Sequence, residues 1–114
     1  MDHINNFRSV IIDLHSIVIN CMYWKVYTTS LIKKQLYNEL EKNLSVMLYD
    51  IIESYQGKHG TIVFTGNQIT VEKYDSCNIT SVAEKCVNIE VDQPAKNALI
   101  DISNLLYNFI RKNQ

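Results

Sequence analysis

The sequence has few of the residues that interrupt or cross-link a fold. Its 114 residues include one proline and three glycines, so we expect little turn or linker and one domain over the whole of 1–114. Three cysteines form no C-x-x-C pair, which argues against a disulfide framework and favours reduced thiols inside the cell. We therefore expect a cytoplasmic protein.

An excess of one charge and a long apolar run are also lacking. Eleven basic and twelve acidic residues give a formal net charge of −1, so nothing favours a nucleic acid as the partner. The best apolar candidate, Ile11 to Trp24, contains Asp13, His15 and Asn20 and is not predicted to span a membrane. The expected partner is a second copy of the chain, in a homodimer, or another protein.

The composition is biased towards residues with AT-rich codons. Isoleucine, asparagine, lysine and tyrosine supply 43 of the 114 residues, whereas arginine occurs twice. This bias indicates an AT-rich genome and says nothing about function.

The strongest pattern runs from Asp2 to about Met22. Apolar side chains there alternate steps of three and four residues, which places them on one stripe of an α-helix; they are Ile4, Phe7, Ile11, Leu14, Val18 and Cys21. Polar residues form a second, narrow ribbon: Asp2, Asn6, Ser9, Asp13, Ser16 and Asn20. The remaining positions are mostly apolar, so this helix must be covered on more than one side, by its own chain or by another.

A second helix is predicted from about Leu31 to Gln56. Thr28, Thr29 and Ser30 are candidate N-caps, and Gly57 is predicted to end the helix in a left-handed conformation. Its predicted buried side consists of Leu36, Leu40, Leu44, Met47, Leu48, Ile51, Ile52 and Tyr55. The first helix should end between Asn20 and Tyr23. For the run 23–28, an extended linker, a short strand and a nearly continuous helix all remain open.

After Gly60 the apolar spacing changes to two. Residues 61–65 and 68–74 flank Gly66-Asn67, a pattern that predicts a β-hairpin. Residues 75–81 are predicted to be a loop, and Cys86 to Val91 a third strand that pairs antiparallel.

A last helix is predicted after Asp92, a good N-cap, with Pro94 in its first turn. Its predicted buried stripe is Ala95, Ala98, Leu99, Ile102, Leu105, Leu106, Phe109 and Ile110. The expected fold is therefore a single α+β domain with two N-terminal helices, a three-stranded antiparallel sheet that includes the hairpin, and a C-terminal helix.

No catalytic or cofactor-binding pattern is apparent. His3, His15 and His59 share no metal-ligand spacing with each other or with the cysteines. The glycines at 57 and 60 lead from a helix into a predicted strand, the reverse of a phosphate-binding loop. We name no catalytic, metal or cofactor residue, and an enzyme is not the favoured interpretation.

Three functions remain, and a non-catalytic protein-interaction module acting through the first helix is favoured. Its candidate interface consists of Ile12, Ile19, Tyr23, Trp24 and Tyr27. Neighbouring large aromatics more often belong to a core or its rim, but tryptophan and tyrosine are also enriched among interface anchors.

The first alternative is a winged-helix-like DNA-binding regulator, suggested by the element order. It is opposed by the absence of lysine and arginine between Leu44 and Gln56. The second alternative is a small-molecule binder or an enzyme, which would require a polar-lined pocket.

Overall fold

The computed structural model describes residues 3–64 and 69–114. They contain four α-helices: α1 His3–Tyr27, α2 Leu31–His59, α3 Ser76–Asn88 and α4 Gln93–Lys112. The short connections make α1 and α2 one helical hairpin and α3 and α4 a second. Helix α1 packs on α2 and α3, and α4 packs on the same two helices. The helices therefore form a closed ring around one core, as in a four-helix bundle.

The predicted α+β fold is wrong. Residues 61–64 and 69–74 contain no strand, and the predicted turn at Gly66-Asn67 lies outside the described residues. Period-two spacing predicts a strand only where a neighbouring strand can pair with it, and the backbone groups of Ile62, Thr70 and Glu72 bond to side chains of α2 and α1 instead. The described residues also lack the β-hairpin that suggested a winged helix.

Residues 76–81 of the predicted loop and the first half of the predicted strand 86–91 belong to α3. The side chain of Asp75 caps α3 by accepting from the backbone N of Cys77 at 2.9 Å. The buried side chains of α3 are Ile79, Ala83 and Cys86, which recur with steps of four and three. Helical spacing was therefore present beside the alternation that suggested a strand.

The other helix boundaries follow local signals, with two corrections. Ser30 caps α2, and Asp92 caps α4 with Pro94 in its first turn, as predicted. Helix α1 continues to Tyr27, beyond its predicted end. Helix α2 passes through Gly57 and ends at Gly60, whose φ of 88° favours glycine.

The polar ribbon of α1 is a contact with the rest of the chain. Lys85 of α3 places its Nζ 2.6 Å from both Ser9 Oγ and Asp13 Oδ2. The side chain of Asn6 donates to the carbonyl of Glu90 at 2.8 Å. Helix α1 is thus covered by α2 on its apolar stripe and by α3 along the ribbon.

The core inside the ring is continuous and contains two cysteines. Burial raises the pKa of the Cys21 and Cys86 thiols to about 12, so they stay neutral and pack as small apolar groups. The fully buried large side chains include Phe7, Leu14, Leu44, Leu99, Ile102 and Leu106. None of the described helices combines the length and the apolar character needed to cross a bilayer.

Asp92 links the start of α4 to the end of α2. Its Oδ1 accepts from the backbone N of Ala95 at 3.1 Å, and its Oδ2 lies 2.5 Å from His59 Nε2 and 3.6 Å from Lys58 Nζ. Burial alone would raise the pKa of Asp92, but the hydrogen bonds from His59 and Ala95 and the charge of Lys58 outweigh it and lower that pKa. Folding is therefore coupled to ionisation of this carboxyl.

We predict an acid-dependent difference between Asp92→Asn and the wild type. Asparagine keeps the cap but removes the ionisable group. Because the folded pKa is lowered, the stabilisation from the carboxylate is present above the unfolded pKa and is lost as the pH falls through the folded value. The difference in unfolding free energy should therefore shrink between about pH 5 and pH 2, as measured by urea denaturation. Asp92→Ala, which also loses the cap, should cost about 1 kcal/mol more. A difference that does not change with pH over this range would contradict the coupling.

Candidate interaction surface

Two side chains of α1 bind the backbone of the segment between α2 and α3, residues 60–75, which we call the connection. Asn20, which is only 6% exposed, donates from Nδ2 to the carbonyl of Thr70 at 3.1 Å and accepts at Oδ1 from the backbone N of Glu72 at 2.7 Å. The indole Nε1 of Trp24 donates to the carbonyl of Glu72 at 2.6 Å. Two side chains thus satisfy three main-chain groups of a non-helical segment.

Trp24 also belongs to an aromatic cluster that joins four parts of the chain. Trp24 packs with Tyr37 of α2 and Tyr74 of the connection, and both of these rings pack with Phe109 of α4; the ring centroids in contact lie 5.3 to 5.9 Å apart. Trp24 and Tyr74 meet edge to face, a favoured geometry for aromatic pairs. The cluster fixes the end of the connection against the bundle.

Exposed apolar side chains gather where α1 ends and α2 begins. We call this group the hairpin-end patch; it consists of Met22, Tyr23, Val26, Tyr27, Leu31 and Ile32. The first four lie on one face of α1, and the rings of Tyr23 and Tyr27 are 6.3 Å apart. Val26, Tyr27, Leu31 and Ile32 are each 66 to 75% exposed. The patch is therefore built from two adjoining helices.

The predicted interface residues fall into three environments. Tyr23 and Tyr27 lie in the hairpin-end patch. Trp24 is buried against aromatic side chains of the core and against the connection. Ile12 and Ile19 are half-buried on α1.

Sequence reasoning did not identify Val26, Leu31 and Ile32. A signal was present, because Val26 follows Ile19 by seven residues and so shares its face of the helix. Leu31 and Ile32 precede the buried stripe of α2 and were not part of it. Nor was Asn20 predicted to bind backbone, because its partners lie 50 and 52 residues away.

An apolar groove runs between α1, α2 and the first part of the connection. Its volume is about 590 Å³, a size typical of small-molecule sites. The apolar lining includes Ile11, Ile12, Val18, Leu48, Ile52, Ile62, Phe64 and Ile69. Its polar members are His15, Ser45 and Gln56. Two of them bind within the chain: Gln56 Oε1 accepts from the backbone N of Ile62, and Ser45 Oγ donates to the carbonyl of Glu41. The groove therefore offers few polar groups to orient a ligand.

The described residues contain no group of three or more histidine, cysteine or acidic side chains that could hold a metal ion. The pair formed by His59 and Asp92 connects two helix ends. Its geometry is explained by the fold without a catalytic role.

Comparison of the chain with protein-family models, curated proteins and solved structures finds no match. The proposals below depend on the geometry of the chain itself.

We predict that Asn20→Leu destabilises the fold more than Asn6→Leu. The first change leaves the carbonyl of Thr70 and the amide of Glu72 without the partners they have now, which should cost about 1–3 kcal/mol. Asn6 makes one exposed hydrogen bond and is the matched control, because the change in helix propensity is the same in both variants. Urea denaturation measures both values. Equal losses would show that the bonds to residues 70–72 contribute little.

Proposed function

We propose that this chain is a non-catalytic protein-interaction module that forms a homodimer through the hairpin-end patch. The observation that carries the proposal is the exposure of Val26, Tyr27, Leu31 and Ile32 on two adjoining helix ends. Apolar side chains exposed singly are ordinary on a protein surface, but a contiguous patch of several hundred Å² usually marks an interaction site.

The chemistry of the patch suits burial. Tyrosine is enriched at interfaces because it offers a large apolar area with a polar tip. The only charged residue in the last turn of α1 is Lys25, and its Nζ is paired with Glu41 Oε1 at 2.5 Å. Association would therefore leave no unpaired charge from this turn in the interface.

The arrangement of the patch favours a second copy as the partner. Tyr23 and Tyr27 form an aromatic half on α1, and Leu31 and Ile32 form an aliphatic half on α2. A two-fold axis brings each half of one copy against the other half of its partner, which is the reciprocal contact that an isologous interface requires. Both halves would be covered at once.

We also propose a cytoplasmic location. The cysteines at 21, 77 and 86 are free, and two of them are buried in the core. Free thiols are typical of reducing compartments.

We predict that Tyr27→Glu and Val26→Glu abolish dimer formation. A charge in the centre of an apolar interface must be desolvated without a partner. Both sites are exposed in a single copy, so unfolding free energy should change by no more than about 0.5 kcal/mol. Sedimentation equilibrium from micromolar to millimolar concentration measures the mass, and thermal unfolding checks the fold.

The chain offers matched controls for both changes. Tyr49 is 68% exposed and Val46 is 62% exposed, and both lie outside the patch. Tyr49→Glu and Val46→Glu should dimerise as the wild type does. A wild type that remains a monomer at millimolar concentration, or controls that dissociate equally, would refute the homodimer.

A further inference from the structure

We propose that Asn20, Trp24 and the aromatic cluster form a binding site for an extended polypeptide. Residues 70–74 occupy this site in cis, and an extended segment of a partner protein can take their place. The site and the hairpin-end patch share the last turns of α1, but the hydrogen bonds and ring contacts that carry this inference are separate from the exposed side chains that carry the homodimer.

The site binds main chain. The carboxamide of Asn20 pairs with the carbonyl of Thr70 and the amide of Glu72, two groups that point to the same side of an extended segment. A neighbouring strand would bind the same two groups in the same way. The indole of Trp24 donates to the carbonyl of Glu72, the next main-chain group on the same side of the segment. Any extended peptide carries these three groups.

The side chains of the bound segment ahead of Tyr74 add little to the backbone bonds; Glu72 Oε2 accepts from Asn78 Nδ2 at 3.3 Å, in an exposed contact. All four residues from Thr70 to Lys73 are exposed. Beside them is a cavity of about 260 Å³ between α1, the segment and α3, with Asp13, Ser16 and Asn78 in its lining. Side chains other than those present could be accommodated there, so the backbone bonds do not require this particular sequence.

The aromatic cluster defines the chemistry of the partner. Tyr74 is half-buried and contacts the rings of Trp24, Tyr37 and Phe109. It follows the Thr70 carbonyl by four residues. The partner segment is therefore extended and has an aromatic residue four positions after the carbonyl that Asn20 binds.

A partner segment must compete with residues 70–74, which already occupy the site. The segment is tethered to α2 at one end and to α3 at the other, and a tether of this length gives an effective concentration on the order of millimolar. A partner segment must exceed this local concentration or bind more tightly. Weakening the cis segment should therefore open the site.

The experiment uses Trp24 as its own reporter, because it is the only tryptophan in the chain. Glu72→Pro removes the backbone N–H that donates to Asn20 Oδ1. Val71→Pro introduces the same ring one residue earlier and keeps that N–H. The probe is a blocked synthetic peptide with the sequence of residues 69–74, titrated to about 10 mM, above the expected effective concentration. Circular dichroism checks that each variant keeps its helices.

On titration with this peptide, we expect a saturable change in the Trp24 fluorescence emission of the Glu72→Pro variant. The peptide should bind the wild type and Val71→Pro at least about tenfold more weakly. The same peptide N-methylated at its glutamate lacks the amide hydrogen and should bind about tenfold more weakly, as should the unmodified peptide to Glu72→Pro combined with Asn20→Ala. A folded Glu72→Pro that shows no saturable change, or equal binding of the methylated peptide, would overturn the proposal.

A second measurement on the wild-type chain decides the case in which Glu72→Pro does not fold. The amide hydrogen of Glu72 should exchange through a local opening, at a lower free energy than the amide of Leu14 in the core of α1. If both exchange only with global unfolding, the segment is a fixed part of the fold and the proposal fails. Neither measurement uses molecular mass, so failure here is distinguishable from failure of the homodimer.

Discussion

Helix α1 is apolar around most of its circumference, and covering it is the constraint on which the structure depends. Helix α2 covers the side that contains Leu14, and α3 covers the ribbon through the bonds that Lys85 makes with Ser9 and Asp13. Towards the C-terminal end of α1, the connection covers the polar ribbon in place of α3. A buried amide such as that of Asn20 is tolerated only with partners of its own, and the backbone of residues 70–72 supplies them.

The features predicted correctly from sequence depend on residues close together in the chain. Ser30 caps α2 with its own first turn, and Asp92 caps α4 in the same way. Most of the buried side chains of α2 and α4 lie on the stripes that helical spacing predicts, but Tyr37 and Ser103 are buried outside the predicted sets. The connection and α3 were predicted wrongly because alternation in 61–74 and 86–91 shows which side chains can share a face, but not whether another strand lies beside them. Near residue 86 the apolar side chains fit both the two-residue period of a strand and the 3.6-residue period of a helix, and only packing against α4 and α1 selects the helix.

The candidate surface was predictable only in part, for a similar reason. Tyr23 and Tyr27 were predicted to lie at an interface because they adjoin Trp24 in the sequence, and both are exposed. The pattern could not place Trp24, because its burial depends on Tyr37 and Tyr74 from two other parts of the chain. The exposure of Leu31 and Ile32 depends on the angle at which α2 leaves α1. Three residues between the helices set that angle, and no local spacing encodes it.

The two proposed surfaces share the last turns of α1 and are therefore linked. Tyr23 and Tyr27 point to the hairpin-end patch, while Asn20 and Trp24 point to the connection. A helix end frays more readily than its middle, so burial of the patch in a dimer would order the turn that holds Trp24 against Glu72. The cis segment would then be held more tightly, and displacement of that segment would loosen the dimer by the same free energy, because coupling between two binding equilibria is reciprocal. Peptide exchange at the site would then depend on the oligomeric state through the C-terminal end of α1 alone.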